Sequence, residues 1–221
     1  HDLKTPLSPI KGYAELLADS SDKEKQTVQE YGSIILKNIN HTENLINDLK
    51  LTYQLDSGSI PFHPKKVRIT RYVKEWIIDI ANDPTYANRD IAFGSKIPEQ
   101  TVTLDSGLFR RAVTNLVTNA LWHNPADTKV SILLDTDKRG GILLSVCDNG
   151  KGLGEPEQER LFERYYRGTN TKEKPEGSGL GLAIANQIVT LHGGEITVNS
   201  QLGIGTEFII HVPCKNGEAA D

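Results

Sequence analysis

Glycine is distributed so unevenly in this chain that one architecture cannot run through it. Of its 19 glycines only Gly12 and Gly32 precede residue 57, and the other 17 lie from Gly58 onward. Glycine weakens a helix interior by roughly 0.5–1 kcal/mol relative to alanine and supplies the positive φ that turns need. The first quarter therefore favours long helices, and the rest favours turn-rich mixed structure. From Lys11 to Ala18 and from Glu24 to Leu55 the apolar spacing is helical. In the second segment Val28, Tyr31, Ile35, Asn38, Thr42, Leu45 and Leu49 recur at alternating intervals of three and four, a heptad seam. Ile34, Ile39 and Ile46 widen that seam beyond a two-stranded stripe, which suits a four-helix bundle. The short Asp19-Ser-Ser-Asp-Lys-Glu turn makes the two helices antiparallel neighbours, so a second copy of the chain would supply the other half. A monomeric hairpin packed on the rest of the chain is the alternative.

Turn formers crowd Asp56-Ser-Gly-Ser-Ile-Pro-Phe-His-Pro64 and mark a linker. We accordingly divide the chain into a helical domain (1–56), a linker (57–64), a second domain (65–213) and a tail (214–221). The second domain reads as a short strand at 67–69, a helix at 71–81 and strands at 91–95 and 100–104. A helix at 106–122 follows, with Asp105 as N-cap. Strands at 130–135 and 142–147 come next, then a polar loop, a helix after Gly179, and strands at 195–199 and 207–212. The fold class is α+β: a helical hairpin, then an α/β sandwich with helices on one face of a mixed, mostly antiparallel sheet.

A net charge of −4 without a long Lys/Arg run argues against nucleic-acid or anionic-membrane binding, which need concentrated positive charge. Two cysteines, Cys147 and Cys214, are too few for a disulfide framework and lack metal spacing, so a reducing, cytoplasmic compartment is expected. No apolar run reaches the roughly 18 residues of a membrane span, and the chain has no Met. The expectation is a fragment of a longer protein, itself without a membrane segment, whose full length is open to anchoring.

Five stretches of the second domain point to one site. Asn115-Leu-Val-Thr-Asn119 sets two amides four residues apart on one helical face, where carboxamide oxygens could meet a hard cation or simply cap and pack. Asp148-Asn-Gly-Lys-Gly152 follows a strand, with a carboxylate beside glycines that leave room for a flat ring; a plain turn is the alternative. Leu161-Phe-Glu-Arg-Tyr-Tyr-Arg167 reads as a short helix before the polar run 168–176, either a mobile lid with cationic reach or a solvated loop. Gly177-Ser-Gly-Leu-Gly181 runs into an apolar, helix-length segment, either a phosphate cradle on a helix N-terminus or a turn before a core helix. Its spacing fits neither a Walker loop nor the dinucleotide fingerprint. Gly203-Ile-Gly-Thr-Glu-Phe208 is a tight turn into a strand.

In this order the stretches resemble the N, G1, F, G2 and G3 boxes of the sensor histidine kinases, within the Bergerat-type ATPases, and His1-Asp-Leu-Lys-Thr-Pro-Leu7 resembles that family's H box. The resemblance covers nearly the whole chain. It implies a dimerisation and phosphoacceptor domain followed by a catalytic ATP-binding domain. It also implies autophosphorylation of His1 from ATP and Mg²⁺, transfer to an aspartate of a response regulator receiver domain, and phosphatase activity toward that regulator. An imidazole is an uncharged nucleophile near neutral pH, and Asp2 could accept its proton or fix its tautomer. Thr5, one helical turn on, is the phosphatase position by resemblance. Without the resemblance Thr5-Pro6 would read as an N-cap and first helical residue. Pro9 is a breaker outside the family pattern and puts helix regularity there in question.

By the same resemblance Asn119 holds Mg²⁺ with Asn115 nearby, Asp148 takes the exocyclic amine of adenine, Gly150 and Gly152 shape the adenine pocket, and Thr206 supports it. Gly177, Gly179, Leu180 and Gly181 flank the triphosphate. One departure stands out: three residues past Asn119, where the family usually carries Lys or Arg, this chain has Trp122. Arg164, Arg167, Lys172 and Lys174 are the cations expected to substitute. The rival is an ATP-hydrolysing clamp of the same superfamily, but those enzymes resemble one another in a water-activating Glu where this chain has Asn115, which cannot act as a base. A degenerate, non-enzymatic dimeric scaffold is the second rival.

Overall fold

The structure, a computed structural model, describes residues 4–18, 25–168 and 178–213. Two helices, α1 (Lys4–Ala18) and α2 (Lys25–Asp56), come first. They are followed by β1 (Lys65–Arg68), α3 (Ile69–Ala81), a 3₁₀ turn (Pro84–Tyr86), β2 (Asp90–Ser95), β3 (Thr101–Leu104) and α4 (Ser106–Trp122). The chain continues through β4 (Lys129–Thr136), β5 (Ile142–Asp148), α5 (Glu155–Arg160), α6 (Gly181–Leu191), β6 (Glu195–Gln201) and β7 (Gly205–Val212).

α1 begins earlier than the apolar spacing predicts, and it passes through both Pro6 and Pro9. Lys4 and Thr5 are already helical, so the N-cap reading of Thr5 falls. Pro9 removes one backbone hydrogen bond, a cost of about 3 kcal/mol, yet helix continues on both sides of it. Lateral packing holds the pair: the rings of Tyr13 on α1 and Tyr31 on α2 are 5.0 Å apart.

α2 distributes its apolar residues over more than one face. Tyr31, Ile35, Asn38 and Thr42 of the predicted seam are half-buried and Leu45 is buried. Val28 and Leu49, from the same seam, are exposed along with Ile39 and Ile46. The last turns pack elsewhere, with Leu51 and Leu55 against the core of the second domain.

That core lies between one face of a five-stranded sheet, in the order β2-β4-β5-β7-β6, and helices α3, α4 and α6. β2 runs parallel to β4, and every other pairing in this sheet is antiparallel. β1 and β3 pair separately. Alternation on the central strands buries Val130, Ile132 and Leu134 of β4, Ile142, Leu144 and Val146 of β5, and Phe208 and Ile210 of β7. Against them α4 buries Phe109, Ala112, Val113, Leu116, Val117, Ala120 and Leu121 at helical spacing. Each large side chain so buried contributes roughly 1.5–3 kcal/mol. α4 starts where predicted because the Asp105 carboxylate accepts from the Gly107 and Leu108 amides, both at 3.1 Å.

Two local expectations fail. The segment 161–167 is not helical; the helix lies earlier, at Glu155–Arg160, in what reads as a polar loop. Pro156 is pre-set for a first helical turn, and the Glu157 carboxylate accepts from the Gly154 amide at 3.1 Å. Beyond the helix Tyr165 adopts a positive φ of 61°, which helix cannot accommodate. Among the described residues no helix is long and apolar enough to cross a membrane, and Cys147 is a free, half-buried thiol. Cys214 lies outside the described residues.

Candidate functional site

A cavity of about 470 Å³ lies between α4, the loop after β5, α5 with the segment behind it, and the start of α6. Helix α4 lines it with Arg111, Asn115, Thr118, Asn119 and Trp122; the loop after β5 adds Lys151, Gly152 and Leu153. Tyr166, Arg167, Ser178, Gly179 and Gly181 close another side. The remaining wall belongs to α2, through His41, Asn44 and Asp48.

The start of α6 is fixed from two directions. The Asn115 side-chain amide donates to the Gly181 carbonyl at 2.8 Å, and the Tyr165 amide donates to the Gly179 carbonyl at 3.0 Å. Leu180 does not line the cavity; it is buried in the core, and its amide donates to Ser178 Oγ at 3.2 Å. Gly179 has φ +65°, and a Cβ there would stand 2.8 Å from the Tyr165 main chain.

At the other end, the alternation that buries Ile142, Leu144 and Val146 carries the Asp148 side chain onto the same face, 5 % exposed. Burial pushes its carboxyl above the usual range, against the opposing effect of hydrogen bonds from the Gly150 and Thr206 amides and the Asn124 side chain. Asp148 Oδ1 accepts from the Gly150 amide at 2.9 Å. Thr206 faces Asp148 across the β5–β7 ladder and shares a 2.9 Å hydrogen bond with Ser200. A Cβ at Gly152 would lie 2.0 Å from the Gln201 carbonyl oxygen, and one at Gly150 2.0 Å from Asn124 Oδ1, so both positions demand glycine. Of these expected residues Gly152 lines the cavity, and Asp148, Gly150 and Thr206 do not.

Asn115, Asn119, Gly152, Arg167, Gly179 and Gly181 thus share one cavity. Arg164 does not join them. Its guanidinium forms a two-pronged ion pair with Asp56 of α2. Four expected contributors, His1, Asp2, Gly177 and the side chain of Thr5, lie outside the described residues, as do Lys172 and Lys174. Asn124 was missed; it is buried, donates to the Ala120 carbonyl at 2.9 Å and accepts from the Lys151 amide at 3.2 Å. Arg111 was missed too, although it stands four residues before Asn115 on the same helical face.

Among the described residues no group of three or more His, Cys, Asp or Glu side chains could hold a metal. A magnesium ion here would rest on the half-buried Asn119 carboxamide and on ligand phosphates. That fits a cation which keeps several waters and takes few protein ligands.

Two family profiles match the chain: "His Kinase A (phospho-acceptor) domain" over residues 1–58, and "Histidine kinase-, DNA gyrase B-, and HSP90-like ATPase" over residues 104–216. Sensor histidine kinase YvrG of Bacillus subtilis is 42% identical over 211 residues, covering 95% of this chain and 36% of that protein. The probable sensor histidine kinase TcrY of Mycobacterium tuberculosis is 34% identical, covering 96% of this chain and 44% of that protein. The chain therefore spans less than half the length of these curated relatives. Acinetobacter baumannii histidine kinase AdeS shares the fold, with a TM-score of 0.75 at 18% identity over 98% of both chains. So does histidine kinase ThkA in complex with the response regulator TrrA, at 0.73 and 20% identity over 97% of this chain and 59% of that one.

Proposed function

This chain belongs to the sensor histidine kinases, and on that premise we propose that it transfers the γ-phosphoryl group of ATP to His1 and then to an aspartate of a response regulator. Residues 1–56 would serve as dimerisation and phosphotransfer domain, 57–64 as linker, 65–213 as catalytic domain and 214–221 as tail. The observation that carries the reading is that α2 walls the same cavity as Asn115, Asn119 and Gly179, through His41, Asn44 and Asp48. A phosphate bound there would face the hairpin that begins with the H box.

In the step itself an imidazole nitrogen of His1 attacks the γ-phosphorus, the bond to the β,γ-bridging oxygen breaks, and ADP leaves with that electron pair. Asp2 would orient the ring and take up its proton. Asp148 would accept from the adenine amine, and Gly150, Gly152 and Thr206 would keep the ring slot open. Gly177, Gly179, Leu180 and Gly181 would shape the phosphate end, with Arg167 as a cation. Mg²⁺ on Asn119 would supply charge neutralisation. Arg164 leaves this set, because Asp56 holds it. Thr5 would orient the water that removes phosphate from the regulator.

Asn115 favours transfer over hydrolysis. Its amide is committed to the Gly181 carbonyl, and a carboxamide cannot deprotonate water. Exposed Val28, Ile39, Ile46 and Leu49 support pairing of the hairpin with a second copy. Incubation with γ-labelled ATP tests the reading: acid-labile, base-stable label is expected on the chain and absent in His1→Gln, which still binds nucleotide. Label that persists in His1→Gln overturns the acceptor assignment. Free phosphate without label points to a clamp, and neither product to a scaffold.

A further inference from the structure

The α2 wall of the cavity carries a carboxylate where the proposed reaction calls for a phosphate. Asp48, only 9 % exposed, is paired with Arg111 of α4, and its second oxygen lies 3.5 Å from Ser178 Oγ, just ahead of α6. All three residues line the cavity. A guanidinium and a hydroxyl beside a helix start are partners that a phosphate oxygen takes.

Arg111 belongs to the site by position as well. Arg111, Asn115 and Asn119 follow one another at intervals of four along one face of α4. Asn115 ties the middle of that row to Gly181, and Arg111 lines the same cavity as Ser178 and Gly179, just ahead of α6. Arg111 is also under-used: Nε is buried without an acceptor, so the guanidinium retains donor capacity that one carboxylate does not fill. Trp122 occupies the position where the site otherwise expects a cation.

We propose that Asp48 is a built-in stand-in for the terminal phosphate of the nucleotide. Its carboxylate occupies the Arg111–Ser178 subsite and ties α2 to the catalytic domain until a triphosphate displaces it and takes Arg111 as its own counter-charge. Asp48 comes from the helix that walls the hairpin side of the cavity, so the phosphate it mimics is the outermost one, facing the acceptor. The exchange makes nucleotide entry and release of α2 at this point one event, with Arg111 as a phosphate-positioning residue. This rests on the nucleotide site proposed above.

Calorimetric titration of the full chain with AMPPNP and with ADP, both with Mg²⁺, tests it. Asp48→Asn removes the competing charge and should tighten AMPPNP binding about three- to fivefold, the upper scale of one ion pair that the ligand no longer has to break. ADP, which lacks the outermost phosphate, should change less than about twofold by the same argument. Arg111→Gln should weaken AMPPNP, Arg111→Lys should restore part of the loss, and Asp48→Asn should have no further effect in the Arg111→Gln background. Unchanged or weaker AMPPNP binding in a folded Asp48→Asn variant overturns the proposal while leaving the nucleotide site intact. A wild-type chain that binds neither ligand removes both.

Discussion

Asn115 and Gly181, 66 residues apart in sequence, are joined by a 2.8 Å hydrogen bond from a side-chain amide to a main-chain carbonyl. The bond pins the first residue of α6 to the middle of α4, so the row of polar side chains on α4 and the glycine segment ahead of α6 meet at a fixed distance. Asn115→Asp keeps the shape and replaces the donor with an acceptor aimed at a carbonyl. We expect a loss of about 1–3 kcal/mol, read as a fall in Tm of roughly 2–4 °C per kcal/mol in a chain of this size. Nucleotide affinity should fall with it. A variant with unchanged Tm and affinity would show that α6 is positioned without this bond.

Asp148 should trade stability for binding. Burial raises its folded-state pKa above that of an ordinary aspartate. A carboxyl shifted in that direction stabilises the fold fully only below its unfolded pKa, and that contribution is lost as pH rises through the folded value. At neutral pH the buried charge is therefore a cost. Without nucleotide, Asp148→Asn should melt at a higher temperature than wild type at pH 7, with the gap narrowing as pH falls toward 4. Its stabilisation by added ATP analogue should shrink. A lower Tm at pH 7 would show that hydrogen bonds to the carboxylate outweigh its desolvation.

Asp105 presents the opposite case. It accepts from Gly107 and Leu108 at the start of α4 and also from the His63 amide at 2.9 Å, which ties the segment ahead of β1 to the start of α4. Asp105→Ala should cost about 1–2 kcal/mol as a lost cap, measured as a drop in urea midpoint. Asp105→Ser should recover most of it. No change in midpoint would mean that solvent replaces the carboxylate freely.

Local rules made much of this legible in the sequence. α4 was predicted from its Asp cap and apolar spacing, and its helical range is the one observed. The central strands were predicted from alternation to within one or two residues. What escaped was either set by an outlying backbone conformation or carried by distant partners. Tyr165 at φ 61° ends any helix through 161–167, and nothing about a tyrosine announces that conformation. Arg164 reads as a phosphate cation because it is among the nearest cations in sequence to the site; Asp56, 108 residues earlier, claims it. Asp48 reads as an ordinary polar helix residue until α4 is packed against it. The glycines of the site were visible as a cluster, but the reason Gly150, Gly152 and Gly179 are required lies across the fold, at Asn124, Gln201 and Tyr165.

Gly179 offers the sharpest separation of binding from stability. It holds φ +65°, accepts from the Tyr165 amide at 3.0 Å, and has the Tyr165 main chain where a Cβ would go. Alanine there must enter the left-handed region, at about 1–2 kcal/mol, and must also push away the segment that brings Tyr166 and Arg167 to the cavity. Gly193 is the matched control: its φ is +78°, and a Cβ would meet nothing within 4 Å. Both Gly179→Ala and Gly193→Ala should lower Tm through the backbone penalty. Only Gly179→Ala should also weaken AMPPNP binding, by roughly tenfold if one hydrogen-bonded wall of the site is displaced. Equal affinity in the two variants would mean that the Tyr165–Arg167 segment plays no part in holding the nucleotide.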